Sequence, residues 1–200
     1  LLQQARMNRI VEINLKAPPS GFAELETDLA DRFGLDEVVL APEEVDGEQL
    51  LPSLGREAAD YFTRSVEGGE TVALTWGTAL SAFVQALPAE NYPQMRIVQM
   101  LGGLGNPEAE AHCSGLVGRM AAKLNALGRI LPAPGIVSTP EVREALIADA
   151  NIAAGLEMAA QADLAFIGLG IADPESVLIR EGAILKREEV ERLKAAGAVA

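Results

Sequence analysis

The segment Thr75–Thr78 holds the residues of this chain that are best suited to chemistry, because an apolar run, Thr71 to Trp76, ends there and an amphipathic helix begins. Gly77 permits a tight turn, whose backbone N–H groups point outward beside the positive end of the helix dipole. Thr78 is predicted to cap the helix and to offer its hydroxyl to a ligand. The local sequence alone is equally compatible with an anion-binding turn and with an ordinary capped β-to-α turn.

Two further predicted strands also end in glycine. Gly102–Gly103 follows the run Met95–Leu101, and Gly168–Gly170 ends the run Asp163–Leu169. Ligands bind at the carboxyl ends of parallel strands, and glycine lets the backbone approach them closely. Neither segment has the three glycines and the acidic residue about 20 positions on that a dinucleotide fingerprint needs. The three ends predict one shared pocket, without a nicotinamide cofactor.

The other candidates for chemistry are single residues. His112, the only histidine, is predicted early in a helix, either at the pocket mouth or half exposed. Arg180 fits a phosphate contact and a surface role equally well. Lys186 is the one lysine placed for Schiff-base chemistry, although a solvated helix start explains it more simply. One histidine and one cysteine, Cys113, do not make a zinc site, and no catalytic triad can be assembled. We therefore predict no metal and no catalytic residue.

Composition narrows the class of protein. The chain has 200 residues, of which 49% are hydrophobic, as expected for one globular domain with a sizeable core. A net charge of −13 excludes nucleic-acid binding through the overall electrostatic field of the protein. For the same reason, an anionic ligand needs a local binding site. The single cysteine rules out an internal disulfide, and neither a membrane-spanning run nor a signal-peptide core is visible. We expect a cytoplasmic protein.

Strands and helices alternate through the chain, which is typical of a parallel sheet with helices on both faces. The predicted strands are Glu37–Leu40, Thr71–Trp76, Met95–Leu101, Arg129–Leu131 and Asp163–Leu169. The second, third and fifth are nearly continuously apolar, as strands buried on both faces should be. Helices are predicted at 22–33, 51–66, after Gly77, at 108–127, from Thr139, from Asp149 and at 186–196. Ala17–Gly21 is the best linker candidate, and the helix and strand before it are too short to form a core.

Seven segments show a family pattern in their order and spacing: Leu1–Ile13, Ala23–Glu26, Arg32–Leu35, Thr75–Thr78, Val98–Gly103, Leu131–Gly135 and Ala162–Gly170. Together they resemble the effector-binding domain of the SorC family of bacterial sugar-responsive transcription regulators, often grouped with DeoR-type regulators. The resemblance covers most of the chain. It implies a three-layer, mainly parallel α/β fold like that of ribose-phosphate isomerase and glucosamine-phosphate deaminase, without their catalysis.

The resemblance also implies a ligand, a phosphorylated sugar or polyol, with its phosphate on the turn at Gly77 and Thr78. The residues and the resemblance together give this predicted ligand-binding set: Thr75, Trp76, Gly77, Thr78, Gln99, Gly102, Gly103, His112, Gly168, Gly170 and Arg180. No cofactor is implied.

Residues 1–16 are expected to be the remnant of an N-terminal winged helix-turn-helix and linker. Residues 17–200 would then form the effector domain, truncated at its C-terminus. Operator DNA would be bound only through the missing N-terminal domain of a homodimer or homotetramer. The alternative is a sugar-phosphate isomerase or amino-sugar phosphate deaminase, which would need a general base and a proton donor that the sequence does not offer. An interaction domain without a small ligand is a third interpretation.

Overall fold

The structure is a computed structural model that describes the backbone of residues 22–42, 50–103, 107–170 and 187–198. It describes the side chains of these residues except for 107–114 and 187. The chain divides into two compact units, Leu1–Pro42 and Glu43–Ala200. Every helix in the described ranges is too short or too polar to cross a lipid bilayer. The predicted remnant at residues 1–16, together with Arg180 and Lys186, lies outside the described residues.

The first unit contains helix α1, Ala23–Phe33, which ends as predicted at Gly34 in the left-handed conformation, with φ of 63°. The prediction of a strand at Glu37–Leu40 was wrong. There the N–H of Leu40 donates to a carboxylate oxygen of Glu26 at 2.8 Å, so a local side chain satisfies the group that a neighbouring strand would otherwise bind.

The second unit contains the sheet. Its elements are α2 (Leu50–Ser65), β1 (Thr71–Leu74), α3 (Thr78–Ala86), β2 (Arg96–Gln99), α4 (Pro107–Leu124), β3 (Leu127–Arg129), α5 (Pro140–Ile147), α6 (Ala150–Ala160), β4 (Leu164–Phe166) and α7 (Arg187–Ala195). The described strands pair in parallel, in the order β3-β2-β1-β4. This confirms the predicted α/β fold. The helix starts at Thr139 and Asp149 are also confirmed, because each side chain accepts backbone N–H groups of the first turn.

Strands β1 and β2 are shorter than predicted, and β3 and β4 differ further from their predictions. The fourth predicted strand, Arg129–Leu131, corresponds to β3, which begins earlier, at Leu127; the N–H of Leu127 donates to the carbonyl of Met95 at 2.9 Å and sets the register. The fifth predicted strand was expected to be buried on both faces. Within the described residues, however, its counterpart β4 is an edge strand, and the nearby Ile167 and Leu169 are 58% and 89% exposed.

The hydrophobic core lies between one face of the sheet and helices α2, α3 and α4. Val72, Leu74 and Ile97 contribute from the sheet, and each is fully buried. Phe83 of α3 stacks on Phe166 of β4, with ring centroids 4.7 Å apart. The other buried side chains of this core come mainly from the three helices, among them Ala59, Phe62, Leu80, Val84, Leu116, Val117, Met120 and Leu124. This packing holds α3, and hence its N-terminus, at a fixed place above the sheet.

Candidate ligand-binding site at the carboxyl ends of the strands

The order of the strands in the sheet predicts where a ligand should bind. From β1 the chain adds β2 and then β3 on one side, and it returns to place β4 on the other side of β1. The reversal between β1 and β4 is a topological switch point, and open α/β sheets bind ligands at the carboxyl ends of the strands there. The segments that leave these two strands are Thr75–Thr78 and Ile167–Gly170.

Hydrogen bonds join the end of β1 to the ends of both neighbouring strands. The Thr75 hydroxyl accepts the N–H of Gly168 at 3.2 Å, and the N–H of Thr75 donates to the carbonyl of Phe166 at 3.1 Å. On the other side, Nε1 of Trp76 donates to the carbonyl of Gly102 at 3.3 Å. The structure thus brings the three glycine-rich ends together. The hydrogen bonds that connect these ends are made by Thr75 and Trp76.

Gly77 occupies a backbone conformation that side chains rarely adopt, with φ of 149° and ψ of 164°. It is the N-cap of α3, and its carbonyl accepts the first helical hydrogen bond from Ser81 at 2.9 Å. The N–H groups of residues 78–80 therefore precede the first intrahelical bond and form the positive end of the helix dipole.

The prediction that Thr78 caps this helix was wrong. Thr78 is the first helical residue, one position after the cap, and the N-cap residue makes no side-chain hydrogen bond to the helix. Gly77 takes the cap position because the turn requires a positive φ there, which threonine does not tolerate. Both residues are exposed, so the hydroxyl of Thr78 stays accessible beside the first-turn N–H groups.

Gly102 and Gly103 pack against the backbone of residues 133–135, a contact that the sequence did not predict. The N–H of Gly103 donates to the carbonyl of Ala133 at 2.8 Å, and the N–H of Gly135 donates to the carbonyl of Gly103 at 2.7 Å. A Cβ atom on Gly102 would lie 2.5 Å from the Gly135 nitrogen and from the Pro134 carbonyl carbon. Close packing of two loops explains the glycine at 102. The only sequence signal for it was the Pro-rich turn at residues 132–135.

Gln99 is the last residue of β2 and pairs with Leu74 in the parallel register. It is only 2% exposed, and its Nε2 donates to the carbonyl of Leu101 at 2.6 Å. Its Oε1 is buried and has no hydrogen-bond partner in the described structure. The other predicted glycines at the β4 end are less constrained: a Cβ atom on Gly168 would make ordinary contacts, and one on Gly170 would meet open space.

Two residues of the predicted set cannot be joined to this geometry. His112 lies in α4, where the structure describes the backbone but not the side chain, and Arg180 lies outside the described residues. In the part of the chain that is described, no three His, Cys, Asp or Glu side chains cluster closely enough to hold a metal ion. The described site is therefore an arrangement of backbone N–H groups, the accessible hydroxyl of Thr78 and the buried amide of Gln99.

Comparison with known proteins identifies the family to which this chain belongs. Residues 17–200 match Sugar-bind, a family of sugar-binding domains. The chain is 31% identical over 208 residues to the erythritol catabolism regulatory protein EryD of Brucella abortus, a match that covers 100% of this chain and 63% of EryD. It is 27% identical over 199 residues to the deoxyribonucleoside regulator of Bacillus subtilis, covering 95% and 63% of the two chains. The chain thus spans less than two thirds of the length of these relatives.

Two solved structures share the fold. The full-length sorbitol operon regulator SorC from Klebsiella pneumoniae superimposes with a TM-score of 0.78 at 26% identity, covering 99% of this chain and 65% of SorC. A DeoR family transcriptional regulator from Listeria monocytogenes gives a TM-score of 0.80 at 24% identity, covering 90% and 70%. The chain therefore belongs to the Sugar-bind family, the sugar-binding effector domains of SorC- and DeoR-type transcriptional regulators.

Proposed function

We propose that this domain binds a phosphorylated sugar or polyol, and that binding controls operator recognition by the full-length regulator. The observation that carries the proposal is the free N-terminus of α3 at the switch point between β1 and β4. With a net charge of −13, the protein repels phosphate at long range, so the ligand must be held by such a local donor site.

In this arrangement the phosphate lies on the N–H groups of residues 78–80 and on the hydroxyl of Thr78. The sugar or polyol extends over the ends of β2 and β4, where Gln99 and Gly168 lie. Thr75, Trp76 and Gly102 hold the strand ends in place through the bonds described above. Further proposed contacts, from the sequence prediction, are Gly103, Gly170, His112 and Arg180.

The names of the relatives indicate which ligands to test first. They refer to erythritol catabolism, to deoxyribonucleosides and to the sorbitol operon. A suitable panel contains phosphate monoesters of erythritol, sorbitol and deoxyribose, the same three compounds without phosphate, and inorganic phosphate. We expect at least one ester to raise the melting temperature of the 200-residue chain, because a ligand that binds only the folded state stabilises it.

The panel also separates the competing functions. All of the relatives and structures compared above are named as regulators, which supports sensing without turnover. Nuclear magnetic resonance of the incubated ligand would reveal isomerised or deaminated product if the domain were an enzyme. Stabilisation by the unphosphorylated compounds alone would contradict the phosphate site, and no response to any compound would contradict a small-molecule sensor.

We predict that Thr78→Ala weakens binding of the phosphate ester about tenfold and leaves the melting temperature unchanged. The hydroxyl is exposed beside the helix N-terminus, and it does not serve as the helix cap. Thr139→Ala is the matched control, because the Thr139 side chain does cap its helix by accepting the N–H of Val142. The free energy of unfolding of that variant should fall by about 1 kcal/mol, and its affinity for the ester should be unchanged. Calorimetric titration of both variants checks the pair, and unchanged affinity in Thr78→Ala would remove the hydroxyl from the site.

We also propose that residues 1–16 belong to a DNA-binding region and that residues 17–200 form the effector domain. A regulator that reads two half-sites is usually a symmetric oligomer. We therefore expect light scattering of the 200-residue chain to give the mass of a dimer or tetramer. A mass of 21.1 kDa at all concentrations would contradict self-association through this domain.

A further inference from the structure

Gln99 carries an unexplained polar atom. Its side chain is almost fully buried, and Oε1 has no hydrogen-bond partner in the described structure. Buried polar atoms are nearly always paired, because an unpaired acceptor has lost its bond to water without replacement. The exception here lies at the carboxyl end of a central strand, beside the proposed ligand site.

The orientation of this amide is fixed by its neighbour. Nε2 lies 2.6 Å from the carbonyl oxygen of Leu101, so it donates a short hydrogen bond. Exchanging the amide oxygen and nitrogen would place two acceptor oxygens at that distance, which is repulsive. Oε1 is therefore held in place as an acceptor, and it can be satisfied only by a group that donates a hydrogen.

The register places Gln99 beside the end of β1, the strand that leads into the turn at Gly77. Gln99 pairs with Leu74, and three residues after Leu74 the chain reaches Gly77, the N-cap of α3. Paired parallel strands lie about 4.8 Å apart, so one small molecule can span the ends of both. Trp76 bonds to the carbonyl of Gly102 and keeps these two strand ends together.

We propose that Oε1 of Gln99 accepts a hydrogen bond from a hydroxyl of the bound ligand, an inference that rests on the proposed function. The ligand is then a phosphate ester that carries a free hydroxyl on its carbon chain. A keto, ether or deoxy group at that position donates no hydrogen and is discriminated against. Because Oε1 is sealed from solvent, a hydroxyl that reaches it must displace covering atoms, which links binding to a local rearrangement.

The first test replaces Gln99 by methionine, an unbranched apolar side chain of similar size that removes the acceptor together with the Nε2 bond to Leu101. We expect Gln99→Met to lower the affinity for the phosphate ester identified by the panel about tenfold or more, as expected when a buried hydrogen bond is lost. Its affinity for inorganic phosphate should be unchanged, because that ion engages only the end of α3. Gln161→Met, at the exposed C-cap glutamine that follows α6 outside the site, is the control and should match the parent chain.

The second test needs no variant of the protein. A series of deoxy analogues of the same ester, each lacking one hydroxyl, is titrated against the parent chain. One analogue should bind about tenfold more weakly than the ester, and this difference should vanish in Gln99→Met, as in a double-mutant cycle.

The outcomes separate this inference from the function on which it rests. If the parent chain binds the ester and Gln99→Met binds it equally well, with every deoxy analogue equivalent, the Gln99 inference is overturned. If no phosphate ester binds the parent chain, the proposed function fails. If the unphosphorylated polyol binds and Gln99→Met loses that binding, the phosphate assignment fails and the role of Gln99 stands.

Discussion

An alanine at position 102 is expected to lower the free energy of unfolding by about 3 kcal/mol, towards the upper end of the usual cost of overpacking. The added methyl group would overlap the backbone of Pro134 and Gly135, and it would lie nearer still to the carbonyl oxygen of Ala133. Backbone atoms cannot turn aside as the end of a flexible side chain can, so one of the two loops must move. Movement would strain the hydrogen bonds between Gly103 and its partners at 133 and 135.

Chemical denaturation measures this loss, and Gly69→Ala is the control. Gly69 is an exposed loop glycine without a positive φ, and a Cβ atom there would meet nothing within 4 Å. Gly69→Ala should therefore be neutral or slightly stabilising. Equal stabilities of the two variants would show that the loop at 133–135 yields easily and does not brace the end of β2.

Replacing Gly77 by alanine is expected to reduce the affinity for the phosphate ester about a hundredfold, the loss of more than one hydrogen bond to a charged group. Space is not the obstacle, because a Cβ atom at Gly77 would meet nothing within 4 Å. The obstacle is conformational: φ of 149° with ψ of 164° belongs almost only to glycine and costs another residue about 1–3 kcal/mol. Alanine relieves this strain by rotating the turn, which redirects the N–H groups that face the anion.

Gly34→Ala is matched to this variant, since Gly34 also has a positive φ, of 63°, and open space around its Cα. It ends α1 in the other unit, so its replacement should affect stability and leave affinity unchanged. Calorimetric titration of both variants makes the comparison. An affinity of Gly77→Ala equal to that of the parent chain would show that the phosphate does not lie on this turn.

Local and periodic signals predicted much of this fold. The alternation of strands and helices gave the parallel sheet, and the helix starts at Thr139 and Asp149 were predicted correctly because the capping bonds that mark them span only two or three residues. The prediction of a strand at Glu37–Leu40 failed because a strand needs a neighbouring strand to pair with, and a local sequence pattern does not reveal whether one is present. The exposure around β4 likewise depends on its edge position in the order of the described strands.

The candidate site was predicted less completely. The convergence of three glycine-rich ends followed from the parallel topology, and the structure shows it through Thr75 and Trp76. The cap at Thr78 was misassigned because residue type alone does not show which backbone takes the positive φ. The partner of Gly102 lies more than thirty residues away in sequence, and no periodicity indicates such a contact.

The bond between Trp76 and Gly102 gives the protein an optical consequence. Trp76 is the only tryptophan in the chain, so the long-wavelength emission of the whole protein comes from one indole ring. That ring is half-buried, and its N–H spans the ends of β1 and β2 beside the turn at Gly77. Indole emission shifts in wavelength with the polarity and hydrogen bonding around the ring. The chain therefore contains a fluorophore beside the proposed site, and a shift in its emission is the expected label-free sign of ligand binding there.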